Sequence, residues 1–210
     1  MVLSDRDIKK ALSSKRIVIT PAPDLDTQLG SCSIDLRLGD TFRVFDHSKY
    51  GHIDPAKKDY SNEITKEIRI EDGGSFIMQS GEFVLAVTLE NVKIPNDLMA
   101  VLYPRSSTNR KGLSLDLTGI IDSGYEGQLT LPIRNNTHSQ AVRLYPGERM
   151  CQVVFEELKE SVKARKSKYH KKDIVDGITR EKHSEANLIM KGDIRKLKSE
   201  FSVVKSVEKK

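Results

Sequence analysis

The chain has no tryptophan, and its six Phe and six Tyr bring aromatic residues to only 6% of 210. A core built from it is aliphatic and modest, and contacts between copies are expected to complete part of it. Only two cysteines occur, Cys32 and Cys151, far apart and with no Cys-x-x-Cys or His-x-Glu pattern beside them. That excludes a disulfide framework and a zinc site, and it suits a reducing cytoplasm. No run approaches the ~20 apolar residues of a spanning helix, so no membrane role is expected. The opening residues carry Asp5, Arg6 and Asp7 and no apolar stretch, which is not the make-up of a signal peptide. Internal repeats and low-complexity segments are missing as well.

What is present is enough for one ordinary domain and an ordered tail, not for two full domains. Charge separates the two parts. Residues 1–158 carry 19 Lys+Arg against 22 Asp+Glu, a balance of −3, whereas residues 159–210 carry 16 against 8, a balance of +8. A basic tail can meet nucleic acid, but no aromatic-interleaved basic stripe accompanies this one, so nucleic-acid binding is disfavoured.

Ser4 with Asp7 forms a capping pair, and Ile8, Ala11 and Leu12 follow at helical spacing, which predicts a short helix over 4–14. Arg16 to Thr20 reads as a strand stopped by Pro21-Ala-Pro23. From Ser33 to Phe155 short apolar runs alternate with turns. The runs are 34–38, 41–45, 76–78, 83–89, 99–103, 129–133, 142–144 and 150–155; breaks include Gly39-Asp40, Gly73-Gly74 and Pro146-Gly147. Residues 46–67 are polar and read as a surface excursion. Such a pattern predicts an all-β sandwich or jelly roll. In the tail, 163–172 is a basic run, and Met190, Ile194, Leu197 and Phe201 predict one more helix.

Four stretches could carry chemistry. Gly119-Ile-Ile-Asp122-Ser-Gly-Tyr125-Glu-Gly127 sets a carboxylate, a ring and glycines at a turn. Its backbone could approach a base edge, Asp122 could take a proton from water, and Tyr125 could lie against a sugar. A plain β-hairpin with an Asp-initiated turn is the other reading. Tyr103-Pro-Arg105-Ser106-Ser107-Thr-Asn-Arg110 offers guanidinium and hydroxyl donors that suit phosphate oxygens, or else a polar loop with local hydroxyl turns. Tyr145-Pro-Gly147-Glu-Arg149-Met-Cys-Gln152 puts a phosphate donor, Gln152, near an Arg that could brace a carboxylate, or is an ordinary turn and strand. Ser33-Ile-Asp35-Leu-Arg37-Leu-Gly39 places Asp35 and Arg37 on one strand face, which is as readily a paired surface as a site.

In this order, the four stretches resemble the motif set of the dUTPase and dCTP deaminase superfamily over residues 1–158. The opening Met1-Val-Leu-Ser-Asp-Arg-Asp-Ile, Ser33 to Asp40, Ser80-Gly-Glu-Phe-Val-Leu-Ala86 and Arg105-Ser-Ser with Arg110 look like the dCTP deaminase branch. Gly119 to Gly127 and Pro146 to Gln152 look more like dUTPase. The resemblance implies a distorted jelly roll, a homotrimer with sites at subunit boundaries, and a Mg²⁺-bound triphosphate with no direct protein ligand to the metal. It implies Asp122 as the base, Tyr125 on the deoxyribose, and backbone near Gly119 and Thr130 on the pyrimidine edge. Arg105, Ser106, Ser107 and Gln152 would hold phosphates, and Arg110 matches an active-site Arg of the deaminase branch. Asp35 and Arg149 would support them.

Two departures matter. Aligned from Gly127, the catalytic Glu of the deaminase branch falls on Pro132, which has no proton to give or take. Zinc-deaminase motifs are missing too. The Gly-rich closing arm of dUTPases is not visible, and Arg165 and Lys168 are the cations left to cover the terminal phosphate. The expected activity is therefore hydrolysis of dUTP to dUMP and pyrophosphate. The alternatives are dCTP deamination, alone or joined to that hydrolysis, and a nucleotide-binding regulator without turnover.

Overall fold

The computed structural model describes residues 1–46, 64–116, 119–163, 188 and 191–200. Ser4 opens helix α1 (Asp5–Ser13) with a reciprocal cap: its hydroxyl accepts from the Asp7 amide at 3.3 Å, and the Asp7 carboxylate accepts from the Ser4 amide at 3.1 Å. Ile8 and Ala11 are the buried stripe of this helix. Strand β1 (Val18–Thr20) and a single helical turn α2 (Leu25–Gln28) follow.

The body is strands: β2 (Ile34–Phe45), β3 (Thr65–Arg69), β4 (Phe76–Met78), β5 (Phe83–Lys93) and β6 (Leu98–Pro104). A five-residue helix α3 (Ser106–Arg110) leads to β7 (Leu113–Leu115), β8 (Ile120–Ile121), β9 (Glu126–Asn135), β10 (Val142–Leu144) and β11 (Arg149–Glu157). Their order in the large sheet is β7-β9-β5-β2-β11-β6-β8, with β1 added on β5 and β3 on β2, while β10 pairs with β4. This is an all-β jelly-roll architecture. Its core is aliphatic, from Ile34, Leu36 and Leu38 on β2 to Leu131, Val153 and Phe155, with Phe42 stacked on Phe76 at 4.6 Å. In the tail, α4 (Ile194–Glu200) agrees with the expected helix, though Met190 and Phe201 lie outside the described residues. No helix among the described residues is long and apolar enough to cross a membrane.

Four expectations change. Gly39-Asp40 is not a break: β2 runs through it, and the irregularity is taken up as a shift in pairing with β5 between Leu38 and Phe42. Thr65 to Glu67, expected in a surface excursion, form part of β3 because Lys66 and Glu67 pair with Val44 and Arg43. The stretch after Pro104 is helical rather than a loop, with the Thr108 hydroxyl donating to the Met150 carbonyl at 3.1 Å. Gly119 to Gly127 is not a hairpin, since β8 pairs with β6 whereas β9 pairs with β5 and β7.

Candidate functional site

Asp35, Tyr103 and Gln152 come together because β11 lies between β2 and β6, with Gln152 opposite both other residues. Directly opposed residues share a sheet face. On it, the Asp35 carboxylate receives Arg105 Nε at 2.9 Å and Arg149 Nη1 at 3.2 Å. Arg105 Nη1 also donates to the Arg149 carbonyl at 3.3 Å, and Arg149 donates to the carbonyl of Thr27. Burial raises the Asp35 carboxyl above the usual carboxylate range, with the two guanidiniums pulling the other way. Asp35 thus orients both arginines. The anticipated pairing of Arg149 with a carboxylate is this one.

Ser106 and Ser107 follow Arg105 on α3, with Arg110 at its last turn; all three are exposed. The side chains of Ser106, Ser107, Arg110, Asp122, Thr130 and Gln152 make no hydrogen bond or ion pair to another described residue. They are donors and acceptors without an internal partner, gathered in part around a braced Arg pair. Arg165 and Lys168 lie outside the described residues.

The stretch 119–127 starts beside Leu102 of β6 and runs toward the Leu98 end of that strand. Gly119 adopts a φ of +86°, which admits a residue without Cβ, and its carbonyl accepts from the Leu102 amide at 2.7 Å. Gly124 donates to the Pro95 carbonyl at 3.3 Å, and the Tyr125 carbonyl accepts from Ile94 at 2.9 Å. Tyr125 is packed against the core, its hydroxyl donating to the Gln128 carbonyl at 2.5 Å. Burial pushes this phenol up to about 12.

Within one copy, Asp122 and the arginine group lie toward different ends of β6. Ile121 stands opposite Ala100, so the strand register carries Asp122 to the Met99 end of β6, while Gln152 stands opposite Tyr103. Along a strand, Met99 to Tyr103 is about 13 Å and Met99 to Arg105 about 20 Å. Asp122 and the arginine group thus stand apart along β6.

Pro132 lies outward on β9 beside Thr130, opposite Leu85 of β5. Its carbonyl accepts from the Asp116 amide at 2.9 Å, past the last residue of β7. Nitrogen and carbonyl of one residue point the same way in an antiparallel strand, so the missing N–H faces the place where β7 has ended. The face around it is mixed: Leu85 and Val87 are packed by Phe45 and Phe83, the Arg134 guanidinium lies 5.3 Å over the Phe83 ring, and the buried Arg43 stands opposite Leu85.

Reading the sequence by residue type misses Glu90 and Gln28. Glu90 is wholly buried, and its carboxylate receives the Arg37 amide at 2.9 Å, Arg37 Nε at 2.7 Å and Gln28 Nε2 at 3.1 Å. Arg37 is therefore paired across the sheet and not with Asp35. The only signal in the sequence is a Glu closing the apolar run 83–89.

Among the described residues no three His, Cys, Asp or Glu gather as a metal cage. Residues 2–158 match the model of the dCTP deaminase-like family. A protein of Thermomicrobium roseum named dCTP deaminase is 47% identical over 159 residues, covering 75% of this chain and 80% of its own. One of Dictyoglomus turgidum named "dCTP deaminase, dUMP-forming" is 42% identical over 176 residues, covering 81% and 90%. The crystal structure of 2′-deoxycytidine 5′-triphosphate deaminase from Agrobacterium tumefaciens shares the fold with a TM-score of 0.57 at 24% identity, over 73% of this chain and 48% of that one.

Proposed function

The chain belongs to the dCTP deaminase-like family, and from that premise we propose that it forms dUMP by hydrolysing dUTP. The observation that carries this reading is Pro132, an imino acid where the resemblance puts the acid-base Glu of deamination. Water attack at the cytosine ring needs a group there that gives and takes protons. Displacing pyrophosphate needs a water, a base and charge neutralisation, and none of these depends on position 132.

In this reading Asp122 takes the proton of the attacking water. Tyr125 lies along the deoxyribose, and backbone at Gly119 and Thr130 meets the pyrimidine edge. Arg105, Ser106, Ser107 and Gln152 of a neighbouring copy hold the phosphates with Arg110, and Asp35 and Arg149 keep Arg105 in place. Magnesium enters as part of the substrate, carried by the triphosphate, because Asp35, the carboxylate on this face, is taken up by Arg105 and Arg149. A homotrimer joins the two groups, and residues 159–210 form a basic tail on a catalytic unit of 1–158.

The names of the relatives favour a second reading over the first, in which dCTP is the substrate and is deaminated, with or without hydrolysis to dUMP. Supplying dUTP and dCTP side by side with Mg²⁺, and scoring pyrophosphate and ammonia separately, decides between them. Pyrophosphate from dUTP without ammonia from dCTP is expected. Ammonia would overturn the argument from Pro132, and failure to turn over dUTP would sink the hydrolysis.

A further inference from the structure

On the reading that backbone at Thr130 meets the pyrimidine edge, we propose that Thr88 is a positioning residue for base selection. Its buried hydroxyl fixes the backbone of Gln128 and Leu129 that leads into Thr130.

The pairing of β5 with β9 breaks at this point. Val87 stands opposite Thr130 and Asn91 opposite Gln128, so Thr88, Leu89 and Glu90 together face Leu129 alone. A bulge of this kind leaves an amide without its ladder carbonyl. The Thr88 hydroxyl takes that place, accepting from the Leu129 amide at 2.9 Å while donating to the Glu90 carbonyl at 2.8 Å. A hydroxyl can do both at once; a methyl can do neither. The Thr88 carbonyl also receives Gln128 Nε2 at 2.8 Å, and the Gln128 carbonyl receives the Tyr125 hydroxyl at 2.5 Å. Gln128 and Leu129 are thus tied to Thr88 on one side and to Tyr125 on the other.

The bulge itself is anchored. Glu90 is held from β2 by Arg37 and from α2 by Gln28, and Gly39 lies so close that a Cβ there would meet Val87 O at 3.0 Å and Thr88 O at 3.2 Å. Both Thr88 and Glu90 are fully buried, so solvent cannot replace a lost partner. Releasing the Leu129 amide lets the segment before Thr130 move. Hydrogen bonds that tell uracil from cytosine are directional, so small displacements erode discrimination before they erode phosphate binding.

Thr88→Val, Thr88→Ser and wild type are titrated with dUMP, dCMP and dTMP, ligands that carry no pyrophosphate to release, with urea midpoints as a folding control. The valine variant is expected to bind its best nucleotide about tenfold more weakly and to narrow the ratio among the three, while serine keeps wild-type ratios. Inorganic triphosphate should compete equally in all three proteins. An unchanged ratio in the valine variant overturns the inference. If the valine variant does not fold, Thr88→Ala removes the same hydroxyl without the added bulk, and an unchanged ratio there overturns it equally. Failure of the wild type to bind any of the three would overturn the dUMP-forming reading itself, and is distinguished from failure of the Thr88 inference by that.

Discussion

Tyr125 couples stability to alkaline pH. Its phenol is raised to about 12 in the folded chain by burial, against an ordinary 10.0. A group whose folded value is raised contributes stability that is intact below the unfolded value and lost as pH climbs through the folded one. Between pH 10 and 12 this tyrosine should therefore withdraw up to about 2 kcal/mol, less what its partial exposure screens. Urea midpoints across that window should fall less steeply in Tyr125→Phe than in wild type. At neutral pH the variant should lose about 1 kcal/mol, the worth of its hydrogen bond to Gln128. Equal slopes for the two proteins would show that the phenol ionises as it does in an unfolded chain.

At the scale of elements, β5 is the strand to perturb, because it is irregular toward both neighbours. Its pairing shifts against β2 between Leu38 and Phe42 and against β9 between Val87 and Asn91. Gly39 fits into the first irregularity, where an added Cβ would press on two backbone oxygens of β5. Gly39→Ala should therefore lose about 1–3 kcal/mol by overpacking, and an unchanged urea midpoint would refute this. These same irregularities explain what could be read beforehand. Apolar runs such as 99–103 and 150–155 announced β6 and β11 because they are short, nearly continuous apolar stretches next to turn residues. Thr88 and Glu90 continue the core-facing alternation of Val84 and Ala86, but their polar side chains hide those inward positions from a reading by residue type. Strand β8 has two residues and β7 three, too few to show a period, and α2 and α3 are single polar turns. Asp35, Arg149 and Arg105 were visible as charge types in motifs, but their meeting depends on β11 lying between β2 and β6, which no local pattern contains.

At the scale of the whole molecule, the separation along β6 of the Asp122 turn from the arginine group bears on the proposed shared site. Mixing Asp122→Asn with Arg105→Ala after joint refolding should restore activity that neither variant has alone. In random trimers one site in about four receives both intact groups, so recovery should approach a quarter of the wild-type rate. No recovery would place the complete site within one copy. This experiment does not depend on which pyrimidine nucleotide is turned over, so it separates assembly from specificity.

The Leu129 amide has a further consequence, in isotope exchange. Most sheet amides are protected by a carbonyl on a neighbouring strand, and they open when the strands part. This one is protected by a side chain. Its exchange rate therefore reports the rotamer of a single threonine, and in the Thr88→Val protein it should speed up while its neighbours in β9 keep their native protection.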